Sequence, residues 1–267
     1  MSGNDEDIRQ AVLENYAEVA KRGGGGCAPA TSCCGGGTGT ITTQIGYSKE
    51  EVASVPEGAD MGLGCGNPQA IAALKPGETV LDLGSGGGFD CFLAARQVGE
   101  TGRVIGVDMT PEMIRKARAN AQKGGFTNVE FRLGEIEHLP VADQSVDVIL
   151  SNCVINLSPD KPGVFRDAFR VLQPAGRLAV TDIVATATLP DEIRNDLSLR
   201  AGCVGGAATI GEMEAMLQAA GFRQIRIAPK DESRAVIREW APGRRVEDYV
   251  VSATIEAVKP AAGSRGQ

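Results

Sequence analysis

The thiols are the side chains of this sequence with the greatest scope for chemistry. The chain of 267 residues contains seven cysteines and a single histidine, His138. An odd number of cysteines makes a disulfide framework a poor explanation, and a lone histidine disfavours a Cys/His zinc site. Glycines flank Cys65, Cys203 and the adjacent pair Cys33 and Cys34. The neighbouring glycines indicate loops with a flexible backbone. Thiols presented from such loops would form a site that closes around a soft, thiol-seeking ion.

Cys153 is placed differently from these loop cysteines. It ends the run Ser151-Asn152-Cys153, directly after a strand predicted at residues 146–150. In open parallel sheets, ligands bind in the crevice at the carboxyl ends of the strands. That position favours a thiol facing a bound ligand over a thiol packed as a small hydrophobe, which is the usual alternative.

A glycine-rich turn is the second chemical feature. Residues 81–88 read Leu-Asp-Leu-Gly-Ser-Gly-Gly-Gly, and glycine there lets the backbone pass close to a ligand. Asp108 ends the next predicted strand, where a carboxylate can accept hydrogen bonds from both hydroxyls of a ribose. Together they predict a site for a nucleoside cofactor.

The order of residues in the turn favours adenosylmethionine over a dinucleotide. Asp82 stands two residues before Gly84-Ser85-Gly86, a departure from the dinucleotide fingerprint with its third, helix-packing glycine. Residues 82–86 resemble the first motif of class I methyltransferases. The resemblance implies that the loop lies under the methionine part of the cofactor and that Asp108 binds the ribose. It also implies that Met109 flanks the adenine and that Glu135 lies near the adenine amino group. The full expected set is Asp82, Gly84, Ser85, Gly86, Asp108, Met109, Glu135, Ile136 and Asn152.

Alternating strands and helices must position these groups. Between residues 79 and 222, short β-branched runs alternate with helical stretches, a pattern typical of a parallel sheet covered on both faces. Strands are predicted at 79–83, 104–107, 129–132, 146–150, 177–181, 224–227 and 249–255, and helices at 5–22, 49–54, 92–98, 162–172, 190–199 and 211–220, with another opening at 110. We therefore predict an α/β, Rossmann-like class I methyltransferase fold with a seven-stranded, mostly parallel sheet.

Composition and charge exclude several classes of protein. The chain carries 27 basic and 34 acidic side chains, for a net charge of −7, which argues against nucleic-acid binding. No apolar run approaches the length of a membrane span, and the first residues are acidic where a signal peptide would be basic. These features predict a cytoplasmic protein without membrane or nucleic-acid partners, and we expect a monomer.

Four stretches together resemble the arsenite methyltransferases, which use adenosylmethionine to methylate trivalent arsenic. They are residues 82–91, 151–157, 159–161 and 203–207. The resemblance implies that Cys153 and Cys203 hold arsenic and that Cys65 cooperates with a cysteine of the N-terminal loop. Cys33 and Cys34 both match that last position. It also implies that thioredoxin or glutathione restores the thiols, and that the arsenic lone pair attacks the methyl carbon directly. The final methylation state is left open.

The predicted organisation follows from these assignments. Residues 1–70 would form an N-terminal helix and Cys/Gly-rich loops of the arsenic site, and residues 23–46 have a composition that cannot form a packed core. Residues 71–229 would form the adenosylmethionine-binding domain with the Cys203 loop. Residues 230–258 would add a C-terminal strand region as a small appendage, and 259–267 a disordered tail.

Other chemistry-bearing residues have simpler interpretations. Cys91 lies in an apolar helical setting that favours packing, Cys27 is a loop cysteine without an assigned role, and His138 suits a solvated loop. Two alternative functions remain open. One is a methyltransferase of the same fold acting on a small organic acceptor such as a quinone or phenol. The other is a thiol-based arsenic or metal sensor without catalysis.

Overall fold

The fold is built on one twisted sheet. The computed structural model describes residues 3–22 and 38–263. Its strands are β1 (Thr79–Leu83), β2 (Arg103–Asp108), β3 (Val129–Leu133), β4 (Val146–Asn152), β5 (Leu172–Ala185), β6 (Arg223–Lys230) and β7 (Val250–Val258). They lie in the order β3-β2-β1-β4-β5-β7-β6, with β7 antiparallel to both β5 and β6. The predicted seven-stranded, mostly parallel sheet is therefore confirmed.

Helices cover both faces of the sheet. They are α1 (Gly3–Arg22), α2 (Thr38–Gln44), α3 (Lys49–Ser54), α4 (Gln69–Ala72), α5 (Phe89–Val98), α6 (Pro111–Gly124), α7 (Lys161–Val171), α8 (Asp191–Arg194), α9 (Leu197–Ala201), α10 (Ile210–Ala220) and α11 (Arg234–Arg238). Among the described residues, none of these helices is both long enough and apolar enough to cross a membrane.

Strand β1 shows why the sequence folds as layers. Successive side chains of a strand point to opposite faces of a sheet. Val80 packs in a cluster with Phe92 of α5 and Ile114 of α6, whereas Leu81 packs in a second cluster with Phe165 of α7. Because both faces of this strand are buried, its sequence after Thr79 is apolar except for Asp82, next to the last residue.

The structure differs from the predicted elements in several places. Helices α4 and α11 have no counterpart among the predicted elements. Lys259, assigned to the disordered tail, is buried, and its Nζ donates to the carbonyls of Phe169 and Leu172, both at 2.7 Å. The segment expected to lack packing includes α2, in which Thr42 is buried and donates a hydrogen bond to Asp60 at 2.7 Å. The helix predicted at 190–199 is two short helices, because the Asp196 side chain accepts hydrogen bonds from Ser198 N and Leu199 N and so starts a new helix.

Candidate active site

The glycine turn between β1 and α5 forms the floor of a cleft at the carboxyl ends of the strands. Gly84, Gly86 and Gly88 all have left-handed backbones, with φ of 69°, 50° and 93°. A Cβ on Gly84 would lie 2.4 Å from the Val154 side chain. The turn therefore requires glycine at position 84 for two reasons, its backbone conformation and the close approach of the next loop.

Asp108 lies in the wall of this cleft, as predicted for the ribose-binding carboxylate. Its oxygens accept hydrogen bonds from Gly86 N at 2.9 Å and from Thr110 N at 2.8 Å. Burial raises the pKa of this carboxyl, although those two backbone donors oppose the shift. The backbone donors fix the orientation of the carboxylate, and its remaining lone pairs are available to hydroxyl groups.

The other predicted cofactor residues divide into two groups. Asp82, Ser85, Met109, Ile136 and Asn152 line the cleft with the glycines. Glu135 does not line it: its side chain is 48% exposed and lies 3.9 Å from His138. The carboxylate in the cleft wall two residues further on is that of Glu137, which accepts a hydrogen bond from Ser158 at 2.5 Å.

Two buried carboxylates give the cleft an acidic side. Asp82 and Asp90 both line it, and neither forms an ion pair with a lysine or arginine of the described residues. Burial raises the pKa of both, and for Asp82 the charge of Asp90 adds to the effect. Tyr47 donates a hydrogen bond to Asp90 at 2.7 Å. Such a pair would be stabilised by a cationic ligand, such as one carrying an ammonium or sulfonium group.

Several buried polar atoms of the cleft lack partners. Within the described ranges, Ser85 Oγ, Asp60 Oδ2, and Nε and Nη1 of Arg9 have no hydrogen-bond partner, and all three residues line the cleft. A ligand that both donates and accepts hydrogen bonds would satisfy them. The cleft encloses about 1100 Å³ including its open mouth, ample for a nucleoside joined to an amino acid. These residues fit adenosylmethionine. Sequence reasoning missed Arg9, Asp60 and Glu137.

Three of the predicted cysteines meet beside this cleft. A carboxylate oxygen of Asp182 and the Sγ atoms of Cys65 and Cys153 all lie within 4.8 Å of one another. The Cys203 thiol donates a hydrogen bond to the Cys153 carbonyl at 2.7 Å. All three cysteines pack in one apolar cluster with Ile183 and are at most 5% exposed. Glycine neighbours had indicated backbone freedom around Cys65 and Cys203, and the structure shows close packing instead.

Two of these cysteines have unusual backbone conformations. Cys153 has a φ of 59° and Cys203 a φ of 66°, in the left-handed region that residues with a Cβ seldom adopt. Backbone hydrogen bonds hold both, from Cys153 N to Thr181 O at 2.8 Å and from Cys203 N to Arg200 O at 3.1 Å. Strained backbone of this kind is characteristic of functional sites, where it places a side chain that relaxed geometry would direct elsewhere.

Asn152 connects the cleft to the cysteine cluster. Its Oδ1 accepts hydrogen bonds from Cys65 N and Thr181 Oγ1, both at 3.0 Å, and its Nδ2 donates to Gly66 O at 2.8 Å. A Cβ on Gly64 would lie 2.6 Å from this amide. The glycines beside Cys65 therefore let the loop lie directly against Asn152.

The pKa values of two of the clustered thiols, Cys153 and Cys203, are raised above their usual range. Hydrogen bonding to Cys153 and burial raise the pKa of Cys203 well above its usual value. For Cys153, the hydrogen bond with Cys203 lowers the pKa, but the interaction with Cys65 and burial outweigh it and the pKa is raised. Burial also raises the pKa of Asp182 to about 6. Sequence reasoning missed Asp182, although its position after the Thr181 end of the parallel β4–β5 pairing is the same signal that located Cys153.

Of the other four cysteines, one packs inside helix α5 and three lie outside the described residues. Cys91 is fully buried in α5, where its thiol donates to Asp82 at 3.2 Å. Cys27, Cys33 and Cys34 lie outside the described residues, so the predicted N-terminal thiol has no position here.

Comparisons with known proteins agree with this geometry. The family model of a methyltransferase domain matches residues 74–221. The chain is 55% identical to an arsenite methyltransferase of Halobacterium salinarum, over 96% of this chain and 68% of that protein. It is 36% identical to human arsenite methyltransferase, over 84% of this chain and 60% of that one. A crystal structure of an arsenic(III) S-adenosylmethionine methyltransferase from Chlamydomonas reinhardtii matches with a TM-score of 0.63 and 32% identity, over 84% of this chain and 74% of that chain.

The matches also show how much of each relative's length this chain covers. It spans between about half and two thirds of the length of the curated arsenite methyltransferases it matches. The alignment with the archaeal relative nevertheless includes nearly the whole chain, and its sequence identity is high over that length. On these grounds the chain belongs to the arsenite methyltransferase family, within the adenosylmethionine-dependent methyltransferases of class I fold.

Proposed function

We propose that this protein transfers a methyl group from S-adenosylmethionine to trivalent arsenic held by Cys65, Cys153 and Cys203. The observation that carries the proposal is the position of Cys153. It lines the cleft beside the glycine turn, and its thiol also lies in the cysteine cluster. Arsenic bound there would adjoin the methyl donor.

The chemistry of the cluster supports trivalent arsenic as its ligand. Three thiolates and one arsenic(III) form a neutral unit, which suits a buried apolar site better than separate charges do. Arsenous acid binds with loss of water, because each thiol proton leaves on a displaced hydroxide. The raised thiol pKa values therefore do not prevent binding. They keep the Cys153 and Cys203 thiols neutral before arsenic binds.

Adenosylmethionine supplies the reaction with a methyl carbon on a sulfonium. The residues that would hold it are the glycine turn, Asp108 at the ribose, and Met109 and Ile136 at the adenine. Asp82 and Asp90 provide the negative side that a cationic donor requires. The place of Glu135 near the adenine amino group stays a prediction from the sequence, and its side chain lies outside the cleft wall.

We propose that the arsenic lone pair attacks the methyl carbon in line, without a general base. The protein then acts mainly by aligning the reacting atoms and excluding water. Cys153 and Cys203 set the position of the arsenic, and Asn152 fixes the loop of Cys65. The attack forms an As–C bond as the C–S bond of the sulfonium breaks, and it leaves a cationic arsenic(V) species on three sulfurs. Attack of a further thiol on one of these sulfurs forms a disulfide, releases a proton and returns the electron pair to arsenic. Monomethylated arsenic(III) then stays on two thiolates, so a second round is expected.

The N-terminal thiol and the reductant complete the proposal. Either Cys33 or Cys34 would join the cluster during the cycle, and thioredoxin or glutathione would restore oxidised thiols. We also retain the division into an arsenic-loop segment (1–70) and a cofactor domain (71–229). The C-terminal strand region (230–258) is not an appendage, because its strand β7 lies between β5 and β6 in the same sheet.

Transfer of labelled methyl from adenosylmethionine to arsenite tests the proposed function. Wild type should produce labelled methylarsenicals in excess thiol, Cys153→Ser and Cys203→Ser should not, and Cys27→Ser serves as the matched control that keeps activity. Label in a quinone or phenol, with cysteine variants still active, would instead support the organic acceptor. Arsenic binding without consumption of adenosylmethionine would support a sensor.

A further inference from the structure

Three side chains of helix α1 lie in the wall of the adenosylmethionine cleft. They are Arg9, Val12 and Tyr16, and their spacing of three and four positions puts them on one side of the helix. Arg9 also forms an ion pair at 3.4 Å with Glu137, which lies in the same cleft wall. Helix α1 therefore contributes side chains to the candidate active site.

The same helix packs against the segment that leads to Cys203. Ile8 and Val12 form a buried cluster with Ala201 of α9, and Tyr16 packs against that cluster. Ala201 stands two residues before Cys203. Because Tyr16 follows Val12 by one helical turn, the contact between α1 and α9 also fixes the place of the tyrosine ring.

The Tyr16 hydroxyl forms a hydrogen bond with the Cys203 thiol. Hydrogen bonding to Cys153 and burial raise the pKa of Cys203, whereas the bond from Tyr16 lowers it. A bond that lowers the pKa of a thiol favours the deprotonated sulfur, so the hydroxyl is the donor and the sulfur the acceptor. The thiol in turn donates to the Cys153 carbonyl at 2.7 Å. The Cys203 sulfur is thus held by one bond in each direction.

Binding of arsenic would remove one of these two bonds. The thiol proton leaves on a hydroxide displaced from arsenous acid, so Cys203 no longer donates to the Cys153 carbonyl. The bond from Tyr16 needs no proton on the sulfur and is retained. A sulfur that carries more negative charge is also the better acceptor for it.

We propose that Tyr16 is a positioning residue of the arsenic site, whose hydroxyl holds the Cys203 sulfur while that sulfur binds arsenic. The inference rests on the proposed function. Cys203 has a strained, left-handed backbone with a φ of 66°, and a bond to its sulfur fixes the direction of the side chain. The helix that lines the cofactor cleft thereby also sets the place of arsenic relative to the methyl donor.

The Tyr16→Phe substitution removes the hydroxyl and keeps the ring in the cleft wall. The dissociation constant for arsenite, measured by equilibrium dialysis, should rise about fivefold, which corresponds to one net hydrogen bond. The affinity for adenosylmethionine, measured by calorimetry, should stay at the wild-type value. Tyr249→Phe is the matched control, because Tyr249 packs at the apolar cluster of the cysteines but is not in the cleft wall. It should leave both affinities unchanged.

A double-mutant cycle separates this contact from a general loosening of α1. The probe is phenylarsine oxide, whose trivalent arsenic needs only two thiolates and so binds variants that lack one cysteine. In Cys65→Ala the probe is held by Cys153 and Cys203, and Tyr16→Phe should weaken its binding by the same factor as for arsenite. In Cys203→Ala the probe is held by Cys65 and Cys153, and Tyr16→Phe should leave its affinity unchanged.

Three results would overturn the inference. They are equal weakening of the probe in both cysteine backgrounds, wild-type arsenite affinity in Tyr16→Phe, and a loss of adenosylmethionine affinity that matches the loss of arsenite affinity. A wild-type protein that methylates arsenite while giving any of these results would retain the proposed function and lose only the role of Tyr16. Absence of methylation by the wild type would remove the function itself.

Discussion

The Asn152→Ala substitution tests whether Asn152 contributes to arsenic affinity in addition to its contribution to the stability of the fold. The amide makes two hydrogen bonds to the loop of Cys65, one to Cys65 N and one to Gly66 O. A typical hydrogen bond contributes about 1 kcal/mol net. Losing both should therefore make the observed position of the Cys65 loop less stable by about 2 kcal/mol. If arsenic binding must then restore that order, its dissociation constant should rise about 30-fold.

The assay pairs arsenic binding with unfolding in urea. The variant should also lose about 2–4 kcal/mol of unfolding free energy, because Cys65 N is left buried without its acceptor. Asn128→Ala is the matched control, since its amide donates to the carbonyls of Ala95 and Gly99 far from the cysteines. The control should lose stability and keep wild-type arsenic affinity. The reasoning fails if arsenic affinity in Asn152→Ala stays within about twofold of wild type while stability falls.

Three further changes give separable results. Asp108→Asn should weaken adenosylmethionine binding at least about tenfold, because hydrogen bonds to a charged acceptor contribute about 1.5–3 kcal/mol; calorimetry measures this, and unchanged affinity would exclude the ribose role. Gly84→Ala should destabilise the fold more than Gly86→Ala, because both are left-handed but a Cβ has room only at Gly86; equal urea midpoints would contradict this. Between about pH 4 and pH 7, the arsenic-free wild type should lose about 3 kcal/mol of unfolding free energy that Asp182→Asn retains. The folded pKa of Asp182 is raised from 3.8 to about 6, so the folded state favours the protonated carboxyl and is penalised as pH rises. Parallel pH profiles would contradict this.

Local signals were sufficient to predict most of the residues that line the cleft around the glycine turn. The glycine turn follows a strand whose apolar run and length are unambiguous, and Asp108 ends the next strand. Both positions depend on residues close in sequence, and the sheet order brings their carboxyl ends to one edge. The prediction that Cys153 faces the crevice used the same rule, and Cys153 lines the cleft.

The parts that sequence analysis missed depend on tertiary contacts. Glycines around Cys65 and Cys203 suggested mobile loops, but they allow close packing, as the approach of Gly64 to Asn152 shows. Helix α2 has weak local propensity and is held by contacts such as the hydrogen bond between Thr42 and Asp60. A smaller cavity beside Cys65 is lined by residues 44 and 252, more than 200 positions apart, which no local pattern could bring together.

A single-turnover experiment tests the central claim most directly. The protein is loaded with arsenite, freed of excess arsenic by gel filtration, and mixed with adenosylmethionine carrying a labelled methyl group. If arsenic held by Cys65, Cys153 and Cys203 is itself the acceptor, label should appear in methylated arsenic in proportion to the arsenic bound. Loaded protein that binds adenosylmethionine but leaves the label unreacted, or transfers it only when free arsenite is added back, would contradict the account.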